Sequence, residues 1–258
     1  MKKILLAIST ALLFCFAQAQ TPTWATDIAP ILYANCTKCH HTGGAGHFPL
    51  MTFSDAYANG FNMANDVSNK IMPPWPPDEN YKHFVHERVI SQTDIDAINN
   101  WVSGGRPMGD ITQAPTQPTY TNGSQLGTVD LSVQIPTYTV GANNDVYRNF
   151  PIPSGLLQGK YITAFEVVPG NPMIVHHVLI FQDSTNAPAA SDASDPGPGY
   201  TNAGGTGSLA SKLIGGFTPG ASPYYTPVGT GFRLPANTNI VVQVHYPAGS
   251  QGLVDSTE

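Results

Sequence analysis

The chain has 258 residues, of which only 11% are charged, and its formal net charge is −6 at pH 7. This length is enough for one large domain or two modest ones, each with its own hydrophobic core. An acidic chain without basic blocks is a poor partner for nucleic acid or an anionic membrane surface, so neither is expected. The 25 glycines and 23 prolines indicate loop-rich β structure over part of the length.

Residues 1–19 have the three parts of a secretory signal peptide. A basic start leads into an apolar run, and Ala17-Gln18-Ala19 supplies small residues for cleavage before Gln20. The apolar run is too short to span a bilayer comfortably, and no later segment is long and apolar enough. We therefore expect an exported protein that has no integral membrane segment after cleavage of the signal.

A helix beginning near Asp27 is predicted by apolar residues at helical spacing, and it leads into Cys36-Thr37-Lys38-Cys39-His40. Two thiols separated by two residues add to the two vinyl groups of one haem, and the next residue supplies an imidazole to the iron. A zinc site would need a second pair of ligands, and a redox dithiol a βαβ context; neither accompanies these residues. We therefore predict haem c bound through thioethers to Cys36 and Cys39, with His40 as an axial ligand. Export and haem c together favour a bacterial periplasm or extracellular face.

The second axial ligand of this haem is predicted to be Met72, in the run Ile71-Met72-Pro73-Pro74-Trp75-Pro76-Pro77. The prolines exclude a helix here and fix the backbone around a single thioether. Ligation by His and Met gives a higher reduction potential than ligation by two histidines. Five other side chains remain alternatives: Met51, Met63, His47, His83 and His86. For each of these the ordinary interpretation is a core methionine or a surface histidine.

A further helix is predicted after Ser91-x-x-Asp94, which has the spacing of a capping box, and it ends at Gly104-Gly105. The order of helix, attachment motif, methionine loop and closing helix over residues 22–109 resembles class I c-type cytochromes. Met-Pro-Pro-Trp with the closing helix is similar to the variant fused to other domains in exported bacterial proteins. The resemblance implies a small all-α cytochrome c domain over residues 20–110.

The hydrophobic period changes after a turn-rich stretch over residues 111–125, which is predicted to be a linker. Beyond it, short β-branched and aromatic runs predict strands: Val129–Ile135, Val146–Ile152, Tyr161–Val168, Ile174–Phe181 and Ile240–Tyr246. Their spacing predicts an antiparallel sandwich, jelly-roll-like, over residues 126–258, and hence a multidomain α plus β fold class. The stretch from Asp183 to Gly220 lacks such a pattern and is interpreted as a functional or a disordered loop.

Three histidines lie on predicted strands of this second domain: His176 and His177 in Val-His-His-Val-Leu-Ile-Phe, and His245 in Gln-Val-His-Tyr-Pro. Three neutral imidazoles in an apolar β framework suit copper or zinc, and an all-nitrogen set with an open coordination position favours copper. Adjacent residues of a regular strand point to opposite faces, so His176 and His177 share a metal only where the strand ends, bends or bulges. The alternative is one buried, one exposed and one unrelated histidine, and spacing alone leaves both interpretations open.

These two motifs, together with Gly215-Gly216-Phe217-Thr218-Pro219-Gly220 and Arg233-Leu234-Pro235, resemble the first half of the copper type II, ascorbate-dependent monooxygenases. This family contains peptidylglycine α-hydroxylating and dopamine β-monooxygenases, and the resemblance spans residues 126–258. It implies that His176, His177 and His245 hold an electron-transfer copper. It also implies a reductant, either ascorbate or an electron-transfer protein, and a small-molecule or peptide substrate.

Two parts of the family's pattern have no counterpart in this sequence. The disulfides of animal members are missing, and so is the second β domain whose two histidines and methionine hold the oxygen-activating copper. We therefore expect a fragment of a longer copper-dependent monooxygenase that hydroxylates a C–H bond with O2. In it the haem feeds electrons to the copper, and no catalytic residue lies in this chain. The alternative is a monohaem c electron-transfer protein with a non-catalytic β domain for binding or docking.

Overall fold

A computed structural model describes residues 21–75, 77–78, 80–84, 87–121 and 123–258. The predicted signal peptide, and His86 among the alternative haem ligands, lie outside the described residues. The chain forms two compact units. The first, here called the helical unit, contains the described residues up to Thr37 and Leu50–Gln117. The second, the sheet unit, contains Lys38–Pro49 and Pro118–Glu258. The predicted division into a cytochrome domain, a linker and a copper domain stays a prediction.

The helical unit contains three α-helices: α1 (Ala29–Asn35), α2 (Phe53–Ser68) and α3 (Gln92–Ser103). Short π and 3-10 helical turns lie at Trp24–Ile28 and Ile111–Gln113. Helices α2 and α3 pack together, and the π turn contacts both α1 and α3. The side chains they bury are apolar and include Ile28, Leu32, Met63, Ile98 and Trp101. This burial, rather than intrinsic helix propensity, is what stabilises such short helices.

The starts of these helices follow local capping signals. Helix α3 begins directly after Ser91, as the sequence predicts. Helix α2 was not predicted, although Thr52 and Asp55 form a complete capping box at its start. The helix expected to begin near Asp27, with Asp27 as its N-cap, begins differently: Thr23 caps a π turn that precedes α1, and Asp27 lies inside that turn.

The sheet unit is built mainly from antiparallel strands. Its described strands are β1 (Tyr138–Thr139), β2 (Val146–Pro153), β3 (Lys160–Ile162), β4 (Ala164–Phe165), β5 (His177–Asp183), β6 (Tyr200–Thr201), β7 (Lys212–Phe217), β8 (Tyr224–Tyr225), β9 (Phe232–Leu234), β10 (Asn239–Tyr246) and β11 (Val254–Asp255). Five of them form the central sheet in the order β6-β2-β10-β5-β7, with every neighbouring pair antiparallel. The others pair as β1-β11, β3-β9 and β4-β8. Strand β10 is central and buried from Ile240 to Tyr246, so it forms the middle of the core.

The predicted fold class is wrong for the first part of the chain. Over the described residues the protein is mostly β, with only four short α-helices and 22% helical content, and no small all-α cytochrome domain is evident. The physical reason is that residues 38–49, which were expected to wrap within such a domain, belong to the sheet unit. The expectation of an antiparallel sandwich in the second part of the chain agrees better with the structure, because the main sheet is β-sandwich-like.

Individual strand predictions also need correction. Residues 129–135 form no strand, and the predicted strand over residues 161–168 is divided into the short strands β3 and β4. The segment 183–220 contains helix α4 (Ala187–Ser194) and strands β6 and β7. Within the described residues, no helix combines the length and apolar character needed to cross a membrane.

Arg148 explains why the patternless segment 183–220 is ordered. Its buried guanidinium donates to the Asp195 carboxylate at 2.9 Å and to the carbonyls of Pro196 and Pro198 at 3.0 Å. A guanidinium that donates several hydrogen bonds holds several groups of the chain at once. The signal for order thus lies in β2, far along the chain from the segment that it holds.

Candidate metal centre

Three histidines from two neighbouring strands meet at one end of the central sheet. Strand β5 begins at His177, which lies opposite His245 of the antiparallel strand β10. His176 directly precedes β5, and its backbone N–H donates to the His245 carbonyl at 3.0 Å. Because His176 lies outside the regular strand, the alternation of faces does not separate its side chain from that of His177. The structure brings together all three histidines that the sequence singled out.

The Nδ1 atoms of the three rings converge. The Nδ1 atom of His176 lies 3.1 Å from that of His177 and 3.3 Å from that of His245. Nitrogens bound to one metal at about 2.0–2.1 Å, with tetrahedral or trigonal angles, lie roughly 3.3–3.6 Å apart. The two spacings therefore suit a single ion shared by the three imidazoles, with only small adjustments of the side chains.

The three rings differ in burial. His245 is buried, His177 is half-buried and His176 is exposed. Burial lowers the pKa of His177, and the neighbouring histidines lower this pKa further. Burial also lowers the pKa of His245, although the nearby Asp145 carboxylate opposes that shift. Both rings therefore favour the neutral form, which is the form of imidazole that binds metals. The exposed His176 leaves the cluster accessible to solvent on one side.

Two residues of strand β2 and its approach frame the cluster. Tyr147 pairs with His245 across the β2-β10 ladder, and the two rings stack with centroids 4.2 Å apart and an angle of 2° between planes. Asp145 immediately precedes β2, and its Oδ1 lies 3.4 Å from His245 Nε2. Sequence reasoning missed both residues. Only the pairing register of β2 with β10 brings these two residues next to His245, and sequence motifs carry no information about that register.

A buried carboxylate holds the turn that leads into His176. The two oxygens of Asp255 accept hydrogen bonds from the Asn171 N–H at 2.9 Å, from the Tyr246 hydroxyl at 2.8 Å and from the Thr257 hydroxyl at 2.8 Å. Asn171 begins the turn before His176, and Tyr246 directly follows His245. Asp255 therefore links the backbone segments that carry two of the three histidines.

The predicted haem attachment motif begins at the end of a helix. Cys36 is the C-cap of α1, and its N–H donates to the Leu32 carbonyl at 2.8 Å. Cys36 belongs to the helical unit, whereas Cys39 belongs to the sheet unit. Both cysteines are partly buried, and Thr37 between them is completely buried. The Thr37 side chain thus fixes the motif, while Cys36 and Cys39 stay partly accessible.

His40 is held by a glycine-rich turn. Its Nδ1 lies 2.9 Å from the carbonyl oxygen of Phe48. A Cβ added to Gly46 would lie 2.6 Å from the His40 ring, so only glycine allows this close approach. Donation from Nδ1–H to a backbone carbonyl leaves Nε2 with the free lone pair, the usual state of a metal-binding histidine. The surroundings of His40 therefore suit an axial ligand.

Met72 lies in the helical unit beside a cavity of about 320 Å³ that Ile90 and Ile95 also line. Its side chain is 37% exposed. Among the alternatives, Met63 is explained as a core residue of α2 and His83 as an exposed histidine whose Nδ1 lies 2.7 Å from Glu87. Met51 is partly buried and His47 is exposed.

Neither a protein-family model nor a curated protein matches this chain. Its function is therefore inferred from its motifs and from the geometry of its residues.

Proposed function

We propose that this chain is an exported oxidoreductase that binds copper at His176, His177 and His245 and haem c at the Cys36–His40 motif. Both groups supply one-electron redox chemistry when they are bound. The side chains of this protein hold the two metals in place, and the bound metals would transfer electrons. No residue of this chain is proposed to act on a substrate.

The observation that carries this proposal is the convergence of three Nδ1 atoms from residues as far as 69 positions apart. If the histidines were merely structural, one would be buried, one exposed and the third unrelated to them. Their burial does differ, but their ring nitrogens point at one another rather than at separate partners.

We favour copper over zinc as the bound metal because of the chemistry of the three imidazole ligands. Three imidazoles with a solvent-facing side leave a coordination position open, as a redox copper site needs. Three of the four motifs that resemble the copper monooxygenases lie on adjacent strands, whereas Arg233-Leu234-Pro235 is at the end of β9, which pairs with β3. Strand β7 with Gly215-Gly216-Phe217 pairs with β5, and β5 pairs with β10. Three of the four motifs therefore belong to the sheet that carries the histidine cluster.

Haem c is proposed from the attachment motif and from the state of His40. The Cys36 and Cys39 thiols form the thioethers, and the His40 ring is set by Phe48 to present Nε2 to an iron. Met72 is the proposed second axial ligand on the sequence pattern, because the prolines that follow it fix the backbone around this single thioether. The haem proposal does not depend on a small all-α cytochrome domain, which is not evident in the part of the chain that the structure describes.

The wider role proposed for the protein is electron supply to a copper-dependent monooxygenase. The reaction would hydroxylate a C–H bond of a small molecule or peptide with O2, using ascorbate or an electron-transfer protein as reductant. The resemblance of the motifs is what supports this role. The periplasm or extracellular face of a bacterium is the proposed location, on the strength of the predicted signal peptide.

Copper titration of the purified chain tests the proposal. We expect one tightly bound copper per chain, detected by competition with a chromophoric chelator. His245→Ala should weaken binding more than 100-fold, because it removes a ligand and its buried ring. His83→Ala removes an exposed histidine of the helical unit and is the matched control, with no change expected. A native chain that carries haem but binds no copper tightly would instead favour a monohaem electron carrier with a non-catalytic β domain.

A further inference from the structure

Asp145 lies beside the histidine cluster without belonging to its ligand set. It is the residue before β2, and Tyr147, two positions later, pairs with His245 in β10. Residues two positions apart on an extended chain face the same side, so Asp145 and Tyr147 both reach the face that carries the His245 ring. Accordingly, Asp145 Oδ1 lies 3.4 Å from His245 Nε2.

The two nitrogens of the His245 ring have different surroundings. Its Nδ1 faces the Nδ1 of His176 at 3.3 Å, toward the centre of the cluster. Its Nε2 points away from the cluster, is buried, and has no hydrogen-bond partner of good geometry among the described residues. A neutral imidazole carries one proton, which sits on either nitrogen. Only the tautomer with the proton on Nε2 leaves the Nδ1 lone pair available to a metal.

The Asp145 side chain is 59% exposed, and a hydrogen bond to the backbone holds its carboxylate near His245. Its Oδ1 also accepts the backbone N–H of Ala248 at 3.1 Å, just beyond the end of β10. This contact ties the carboxylate to the strand that carries His245. A shift of a few tenths of an ångström brings Nε2–H into a normal hydrogen bond with the same oxygen.

We propose that Asp145 is a positioning residue for the metal ligand His245: its carboxylate accepts Nε2–H and thereby directs the Nδ1 lone pair at the ion. The inference rests on the proposed copper site. Histidines that bind metals usually donate their other N–H to a carboxylate or carbonyl, and loss of that partner lowers metal affinity about 10–100-fold.

Copper affinity of Asp145 variants of the full chain tests this role, measured with Cu²⁺ and a chromophoric chelator. Asp145→Ala should weaken binding about 10–100-fold. Asp145→Asn should retain most of the affinity, because its amide oxygen still accepts Nε2–H. Asp130→Ala removes an exposed carboxylate from the same unit and should change nothing. The nitrogen hyperfine pattern in electron paramagnetic resonance should change in Asp145→Ala and return in Asp145→Asn.

The outcomes separate this inference from the copper proposal itself. If Asp145→Ala binds copper as the native chain does while His245→Ala does not, the positioning role is wrong and the copper site stands. Equal weakening in the alanine and asparagine variants also overturns the role, since only one of them lacks an acceptor. If the native chain binds no copper, both proposals fall. Asp145→Val fills the space without an acceptor and replaces the alanine variant if that variant unfolds.

Discussion

The histidine cluster and the haem attachment segment are both proposed to bind a metal, yet they are organised at different scales. The attachment motif spans five consecutive residues, and His40 is oriented by a carbonyl only eight positions away. The cluster joins residues 69 positions apart, and its geometry depends on the β5-β10 ladder and on buried Asp255. A covalently attached cofactor therefore requires mainly local sequence, whereas a site of three nitrogens requires the completed sheet.

The largest expected effect separates the two sites chemically. The double substitution Cys36→Ser and Cys39→Ser should abolish covalent haem, because thioether bonds need both thiols. Copper affinity of the same preparation should stay within about twofold, since the cluster is held by the sheet. Haem is measured by its absorbance after denaturation, and copper by chelator competition.

The reverse substitution completes this comparison. His245→Ala should lose copper and keep covalent haem. A tenfold loss of copper affinity in the double serine variant would show that the two sites are not independent.

The second effect tests how much the cluster depends on the fold. Asp255→Ala removes the acceptor of three hydrogen bonds and leaves buried donors unpaired, so we expect a loss of about 2–4 kcal/mol of unfolding free energy. Tyr246→Phe removes one of these bonds and should cost about 1 kcal/mol. Urea denaturation measures both variants.

Asp130→Ala is the control for this series, with a change within about 0.5 kcal/mol. Covalent haem should be unaffected by Asp255→Ala in cells that still produce the folded chain. An Asp255→Ala variant as stable as the native chain would show that this carboxylate does not hold the turn before His176.

The difference between local motifs and contacts of distant residues also explains which features the sequence predicted. Periodicity and composition identified the strands that carry His177 and His245, and the capping signal at Ser91 located α3. The convergence of His176 with His177 was left open, because it depends on the strand starting at His177, three residues later than the predicted start at Ile174. Asp145 was missed because only the register of β2 brings it to His245.

Prediction of the fold class failed for a related reason. Local sequence patterns predicted the helix before Cys36, but they did not predict which part of the protein residues 38–49 pack against. Residues 38–49 have no apolar period of their own, and they belong to the sheet unit. The order in the segment 183–220 is likewise set by Arg148 of β2 rather than by its own residues.

The smallest effect is a dependence of stability on pH. The pKa values of His177 and His245 are lowered in the folded chain, while the unfolded chain has an ordinary value near 6.5. As the pH falls below about 6.5, the unfolded state takes up protons that the folded state excludes, so the unfolding free energy decreases. Denaturation at several pH values between about 7.5 and 5.5 measures the slope.

His177→Gln should reduce this slope, because it removes one of the two groups whose pKa is lowered. Leu209→Gln replaces a fully exposed side chain of the same unit and adds no titratable group, so it is the control and should leave the slope unchanged. A slope that is the same in all three proteins would mean that neither cluster ring is held in the neutral form by the fold.

The central claim is that the three histidines bind one copper ion through their Nδ1 atoms. A crystal structure of the copper-loaded chain, with anomalous scattering recorded at the copper edge, tests it most directly. We predict one anomalous peak about 2.0–2.1 Å from Nδ1 of His176, His177 and His245. Copper bound elsewhere on the chain, with no peak between these three rings, would contradict the claim.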